Sequence, residues 1–108
     1  MDANRDRDAG RWGALVDGTR LAIVARLSDG PQAVGQLAAG LPVSRSAVSQ
    51  HLKILKDAGL VEDVAAGTRR IYRLNPAALA ALRDQLDTYW QRALAGYVDA
   101  AEAPTKEE

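Results

Sequence analysis

Cysteine and phenylalanine are absent from the sequence, and histidine and methionine each occur once among its 108 residues. Without cysteine the chain has no disulfide bonds, no thiolate metal ligands and no cysteine nucleophile. The one histidine, His51, would stand alone as a transition-metal ligand, whereas such sites combine several nitrogen or sulfur donors. We therefore predict no metal site, no catalytic residues and no cofactor.

The sequence also lacks a long apolar run. Its longest uncharged stretch, residues 30–44, is interrupted by glycine and proline and is too short to cross a bilayer. Residues 1–8 alternate in charge, unlike the start of a signal peptide. These features lead us to expect a cytoplasmic protein with no membrane partner.

The net charge of zero conceals an uneven distribution along the chain. Residues 44–73 hold six basic and three acidic side chains, a net charge of +3. Residues 74–108 hold three basic and six acidic side chains, a net charge of −3. One segment is basic and the tail is acidic, so the neutral total does not exclude a nucleic-acid partner.

Length and apolar periodicity together predict one small domain. We expect a flexible N-terminus over residues 1–10, a folded domain over 11–98 and a flexible acidic tail over 99–108. Within the domain, apolar residues recur at helical spacing in several segments. The predicted helices cover residues 15–27, 34–41, 44–58 and 75–98, with further helix expected around 11–15.

Between the last two predicted helices, residues 60–63 and 70–74 have the composition of short strands. Gly67 between them can supply the positive φ that a tight hairpin turn needs. The predicted fold is therefore mainly α with a two-stranded β-hairpin. Its about five helices would form a winged helix-turn-helix in which the hairpin is the wing.

The helix that follows Ser44 carries the strongest functional signal. Val48, Leu52 and Leu55 form its apolar stripe, and polar side chains occupy its other faces. Arginine, glutamine and serine can hydrogen-bond base edges in a major groove, and basic side chains can contact phosphates. The predicted DNA-contacting residues of this helix and the wing are Ser44, Arg45, Ser46, Ser49, Gln50, His51, Lys53, Arg69 and Arg70.

The last predicted helix has a long apolar stripe that extends beyond the small body formed by the preceding helices. Its far end needs another partner, and aromatic residues are typical of protein interfaces. Trp12 lies in the other terminal helix. A dimer that packs the first helix against the last helix would bury these aromatic side chains together, so we predict a homodimer formed by the terminal helices. The predicted interface residues are Trp12, Leu82, Leu86, Tyr89, Trp90, Ala93 and Tyr97.

Four segments of the sequence together resemble a known family. They are residues 19–23 (TRLAI), 44–55 (SRSAVSQHLKIL), 58–61 (AGLV) and 67–74 (GTRRIYRL). In this order they are similar to the ArsR, or arsenic-repressor, family of bacterial winged-helix regulators, over roughly residues 11–98. The resemblance implies a homodimeric transcriptional repressor that binds double-stranded DNA at an inverted-repeat operator, often near its own gene.

The sequence departs from the metal-sensing members of that family. Some of them carry cysteine in the helix before the recognition helix, where this sequence has residues 34–39 (VGQLAA). Others place aspartate and histidine pairs on the last helix, where this sequence has Asp84 and Asp87 without histidine. Residues 86–94 (LDTYWQRAL) resemble instead the subset that lacks the usual metal ligands.

The same residues allow other interpretations. The polar residues of the helix after Ser44 could be an ordinary solvated face, and His51 could pack rather than meet DNA. A winged helix can serve as a protein-interaction module, and a repressor can respond to an effector that the sequence does not identify. An enzyme is not expected, since Ser49 and His51 point to different sides of one helix.

Overall fold

A computed structural model of the chain describes residues 10–102. The predicted flexible ends therefore fall mostly outside the described residues, although Gly10 and residues 99–102 are helical. The described part contains five helices and three strands. These are α1 (10–15), α2 (Gly18–Leu27), β1 (Gln32–Ala33), α3 (Val34–Ala39), α4 (Arg45–Asp57), β2 (Val61–Ala66), β3 (Arg69–Leu74) and α5 (Pro76–Glu102).

Side-chain caps explain where three of the helices begin. The Asp17 carboxylate accepts hydrogen bonds from the backbone N–H groups of Thr19 and Arg20, at 2.8 and 3.0 Å. Helix α2 therefore starts at Gly18, not at Leu15 as predicted, because the cap needs Asp17 in an extended conformation. Ser44 caps α4 through Ala47 in the same way, and Asn75 caps α5.

The hairpin strands are longer than predicted and belong to a three-stranded antiparallel sheet. Strands β2 and β3 pair from Val61 opposite Leu74 to Ala66 opposite Arg69. The turn between them has Gly67 at a φ of +65°, which glycine adopts without strain. Strand β1 pairs with the other edge of β3, so β3 is the central strand. The fold is a winged helix-turn-helix, as predicted.

A compact apolar core joins α2, α3 and α4 to the sheet. Its fully buried side chains are Ile23, Leu37, Val48, Leu52, Leu55 and Leu60. Helix α5 contributes Ala78 and Leu82 from its first turns. Its 27 residues span about 40 Å, and from Leu86 onward its apolar side chains are exposed in the single subunit. The helix thus leaves the core after its first two turns.

Helix α5 is long, but it is not apolar throughout. Among the described helices, none has the combination of length and hydropathy that crossing a membrane requires.

Candidate nucleic-acid interface

Helix α4 presents a continuous polar face to solvent. Val48, Leu52 and Leu55 are completely buried, and this stripe fixes the rotation of the helix against the core. The opposite face is therefore exposed, and it starts at the N-terminus, where the Ser44 cap leaves the first turn accessible. The predicted contact residues on this face are Ser44, Arg45, Ser46, Ser49, Gln50 and Lys53, all exposed.

His51 is an exception to the predicted contact set. It is half-buried, and its Nδ1 lies 3.3 Å from Nη1 of Arg20 on α2. Because the guanidinium can only donate, Nδ1 must act as the acceptor in this contact. His51 therefore lies next to the buried stripe with its imidazole facing α2, and its contact with DNA stays a prediction.

The wing carries the predicted Arg69 and Arg70, and both are exposed. An ion-pair cluster connects the wing to the end of α4. The Asp63 carboxylate lies 2.8 Å from Lys56 Nζ and 3.0 Å from Arg70 Nη1, and only 6% of its side chain is exposed. The hydrogen bond from Lys56 lowers the pKa of Asp63, against the opposing effect of burial, and Arg70 lowers it further. Asp63 therefore orients β2 and β3 relative to α4.

Two further ion pairs are fully at the surface. Lys53 lies 3.0 Å from Asp57, one turn along α4, with both side chains mostly exposed. Arg73 lies 3.0 Å from Glu62 across the hairpin. Surface pairs of this kind contribute little to stability, so Lys53 can exchange Asp57 for another anion at low cost.

Three arginines come together in a cavity of about 550 Å³ between the wing, the start of α3 and the start of α4. We call this cavity the wing notch. It is lined by Ala33, Val34, Gly35, Gln36, Arg45, Thr68, Arg69, Arg70 and Tyr72. No sequence motif places Gly35, Gln36 and Tyr72 beside the arginines, since the notch depends on the pairing of β1 with β3.

The second half of α5 exposes a row of apolar side chains. Leu86, Tyr89, Trp90 and Tyr97 are 57%, 49%, 60% and 77% exposed. Leu86, Tyr89, Trp90 and Ala93 also line a shallow cavity of about 520 Å³ with Arg83 and Asp87. Such a contiguous apolar surface is typical of a protein interface.

Two of the predicted interface residues also make contacts within their own subunit. Leu82 is 6% exposed and packs into the core, so its side chain offers little surface to a partner subunit. Its position one helical turn before Leu86 places it where α5 still lies on the body. Trp12 is half-buried, and its indole N–H donates to the Gln85 side chain of the same subunit.

The described residues contain no group of three or more histidine, aspartate or glutamate side chains that could hold a metal ion. On α5, Asp84 and Asp87 are both exposed, and neither takes part in a cluster of that size.

Comparison with known proteins finds a family of regulatory proteins and individual transcriptional regulators. The model of the bacterial regulatory protein, arsR family, matches residues 17–63. The chain is 67% identical over 86 residues to the HTH-type transcriptional regulator Rv2034 of Mycobacterium tuberculosis, covering 80% of each protein. It is 43% identical over 67 residues to the HTH-type transcriptional repressor SmtB of the same species, covering 62% of this chain and 50% of that protein.

A solved structure with a similar fold is the homodimeric winged helix-turn-helix DNA-binding domain Mb0332 from Mycobacterium bovis, described as a possible ArsR-family regulator. It superimposes with a TM-score of 0.66 at 29% sequence identity, covering 95% of this chain and 92% of that chain.

Proposed function

Since this chain belongs to the ArsR family of bacterial transcriptional regulators and carries their winged helix-turn-helix DNA-binding domain, we propose that it is a metal-independent homodimeric repressor. It binds an inverted-repeat operator in the cytoplasm and regulates its own gene. Each subunit inserts α4 into a major groove, where Ser46, Ser49 and Gln50 meet base edges. Lys53 and the wing arginines contact the phosphate backbone.

The observation that carries the DNA-binding proposal is the continuous exposed face of α4 beside a basic wing. The buried stripe of α4 leaves its polar face accessible, and a major groove accommodates one α-helix with that face toward the bases. Arg69 and Arg70 stand at the hairpin end, where they can reach the adjacent backbone. A two-fold dimer would present two such surfaces to two half-sites.

Support for the homodimer comes from the exposed apolar row on α5. Leaving Leu86, Tyr89, Trp90 and Tyr97 in water is unfavourable, and a second copy of the helix would cover them. The Mb0332 domain is described as homodimeric, and its fold is shared by this chain. We propose Trp12, Leu86, Tyr89, Trp90, Ala93 and Tyr97 as interface residues.

Metal independence is supported by the donor chemistry of the chain. It contains no cysteine, and its one imidazole, that of His51, is in contact with Arg20. Asp84 and Asp87 offer only carboxylate oxygens, which suit transition metals poorly without nitrogen or sulfur donors.

The decisive experiment is fluorescence-anisotropy titration with the duplex upstream of the protein's own gene and with a scrambled duplex. Both are titrated across a salt series, with and without a chelator. We expect preference for the upstream duplex, steep salt dependence and no effect of the chelator. Equal, feeble binding to both duplexes would contradict autoregulation, and selection from random duplexes would then separate another operator from a protein-interaction role. A chelator-dependent affinity would contradict metal independence.

A further inference from the structure

The wing notch holds positive charge that the surrounding chain leaves partly uncompensated. Arg70 is paired with Asp63 at 3.0 Å. Within the described chain, Arg45 and Arg69 have no carboxylate within 4.0 Å. Two exposed guanidinium groups therefore line one cavity without a carboxylate partner, so both are available to bind an anion.

Arg45 reaches back from α4 toward α3. Its Nη1 and Cζ lie 3.8 and 3.9 Å from the position that a Cβ on Gly35 would take. The side chain of a first-turn residue tends to point toward the helix N-terminus, and here that direction leads into the notch. The guanidinium thus lies beside the backbone of α3, at van der Waals distance from the position of a Cβ on Gly35.

Gln36 orients the second arginine. Its Oε1 accepts a 2.8 Å hydrogen bond from the backbone N–H of Ala33, which fixes the amide at the start of α3. The same oxygen accepts from Arg69 Nη2 at 3.4 Å. Arg69 is thereby held at the notch that it lines, and its remaining N–H groups are available.

We infer that the wing notch seats one phosphate of the DNA backbone, held jointly by Arg45 and Arg69. Guanidinium groups bind phosphate oxygens through paired N–H donors, and Arg45 and Arg69 both line this cavity of about 550 Å³. This inference rests on the proposed DNA binding and refines it. Arg45 becomes a phosphate ligand, in contrast to the sequence-based expectation that it reads bases.

The first test compares Arg45→Ala, Arg69→Ala and the double variant on a scrambled duplex and on the selected operator. A phosphate seat acts on any sequence, so each single variant loses affinity for both duplexes by the same factor. In a dimer two contacts disappear, and the slope of log K against log salt becomes shallower by about 2. Since both arginines hold one phosphate, the double variant loses less than the product of the two single losses.

Arg92→Ala is the matched control, because Arg92 is exposed on α5 and does not line the notch. It removes the same charge from the chain and should leave the salt slope unchanged. Unfolding midpoints of all variants should equal that of the wild type, since Arg45 and Arg69 are exposed.

The second test replaces single phosphates of the operator with neutral methylphosphonates. One position per half-site should weaken wild-type binding most, weaken Arg45→Ala and Arg69→Ala less, and have no effect on the double variant. The inference is overturned if Arg45→Ala lowers the preference for the operator while the salt slope stays at the wild-type value. It is also overturned if the two arginines respond to different phosphates. Failure of the wild type to bind either duplex would instead refute the proposed function.

Discussion

Gln50 is the residue whose substitution most directly tests base readout. It is exposed on α4, and a glutamine amide can bond an adenine at two positions at once. We expect Gln50→Ala to cost about 1–3 kcal/mol on the preferred operator and to relax selectivity at one base pair per half-site. Anisotropy titration measures the cost in binding free energy, and selection from random duplexes measures the selectivity. An unchanged motif would refute base readout by Gln50.

Lys53→Ala is the comparison for Gln50→Ala. Lys53 is exposed and paired only with the exposed Asp57. Its loss should weaken binding to all duplexes alike and leave the selected motif unchanged.

Asp63 is the residue from which a dependence of stability on pH is expected. Its pKa lies below the ordinary value of 3.8 because Lys56 and Arg70 bind its carboxylate. A carboxyl group with a lowered folded-state pKa stabilises the fold above its unfolded-state pKa. This contribution disappears as the pH falls through the folded-state value. Asp63→Asn should therefore lower the urea midpoint at pH 7 and flatten its decline below about pH 4.

Asp57→Asn provides the control for the Asp63 experiment. Asp57 also pairs with a lysine of α4, but 65% of its side chain is exposed. Its substitution should change the urea midpoint little at either pH. Equal effects of the two substitutions would mean that the low exposure of Asp63 has no energetic consequence.

At the scale of elements, Arg20 connects three helices through one side chain. Its Nε donates to the Ala14 carbonyl of α1 at 2.7 Å, and its Nη1 contacts His51 of α4 at 3.3 Å. Its backbone N–H is bound by the Asp17 cap of α2. The position of α4 relative to α1 and α2 therefore depends on this guanidinium.

We expect His51→Leu to lower the free energy of unfolding by about 1 kcal/mol, since Arg20 loses a half-buried acceptor. His51→Asn should lose less, because its amide oxygen can occupy the place of Nδ1. Urea unfolding of both variants measures the difference. Equal losses would show that the contact between Arg20 and His51 contributes nothing.

Elements with local signals were predictable from the sequence. Ser44 and Asn75 mark helix starts because their caps are made with residues two or three positions away, and Gly59 ends α4 with a φ of +80°. The predicted start of α2 was too early because the apolar residues 14–16 continue the helical pattern in front of the Asp17 cap.

Features made by distant residues were not predictable in the same way. Strand β1 has two residues and exists only through its pairing with Tyr72 and Ile71 of β3. The wing notch depends on that pairing, and the contact of His51 with Arg20 joins positions 31 residues apart. The exposed residues of α4 were foreseen because the helical period alone separates them from the buried stripe.

At the scale of the whole molecule, Trp90 tests the proposed dimer. It is 60% exposed in the single subunit, so Trp90→Glu should leave the fold intact. Placing an unpaired carboxylate in an apolar interface costs about 3 kcal/mol or more, which weakens dimerisation about 100-fold or more. Sedimentation should show monomers, and the affinity for an operator with two half-sites should fall because the dimer is lost.

Gln91→Glu is the matched control for Trp90→Glu. It adds the same charge at the neighbouring exposed position of α5, outside the cavity lined by Trp90. It should sediment as a dimer. A dimeric Trp90→Glu variant would place the subunit contact elsewhere.

The length of α5 also has a consequence for the spacing of the operator. Only its first turns are anchored in the core, so in the proposed dimer the remaining length of α5 would set the distance between the two α4 helices that we propose bind DNA. Sliding one α5 helix past its partner by a single helical turn would displace the two α4 helices relative to each other by about 5.4 Å. The major groove repeats about every 34 Å along the DNA. Substitutions on α5 alone would therefore change the half-site spacing that the dimer binds, while the base sequence recognised within each half-site stays the same.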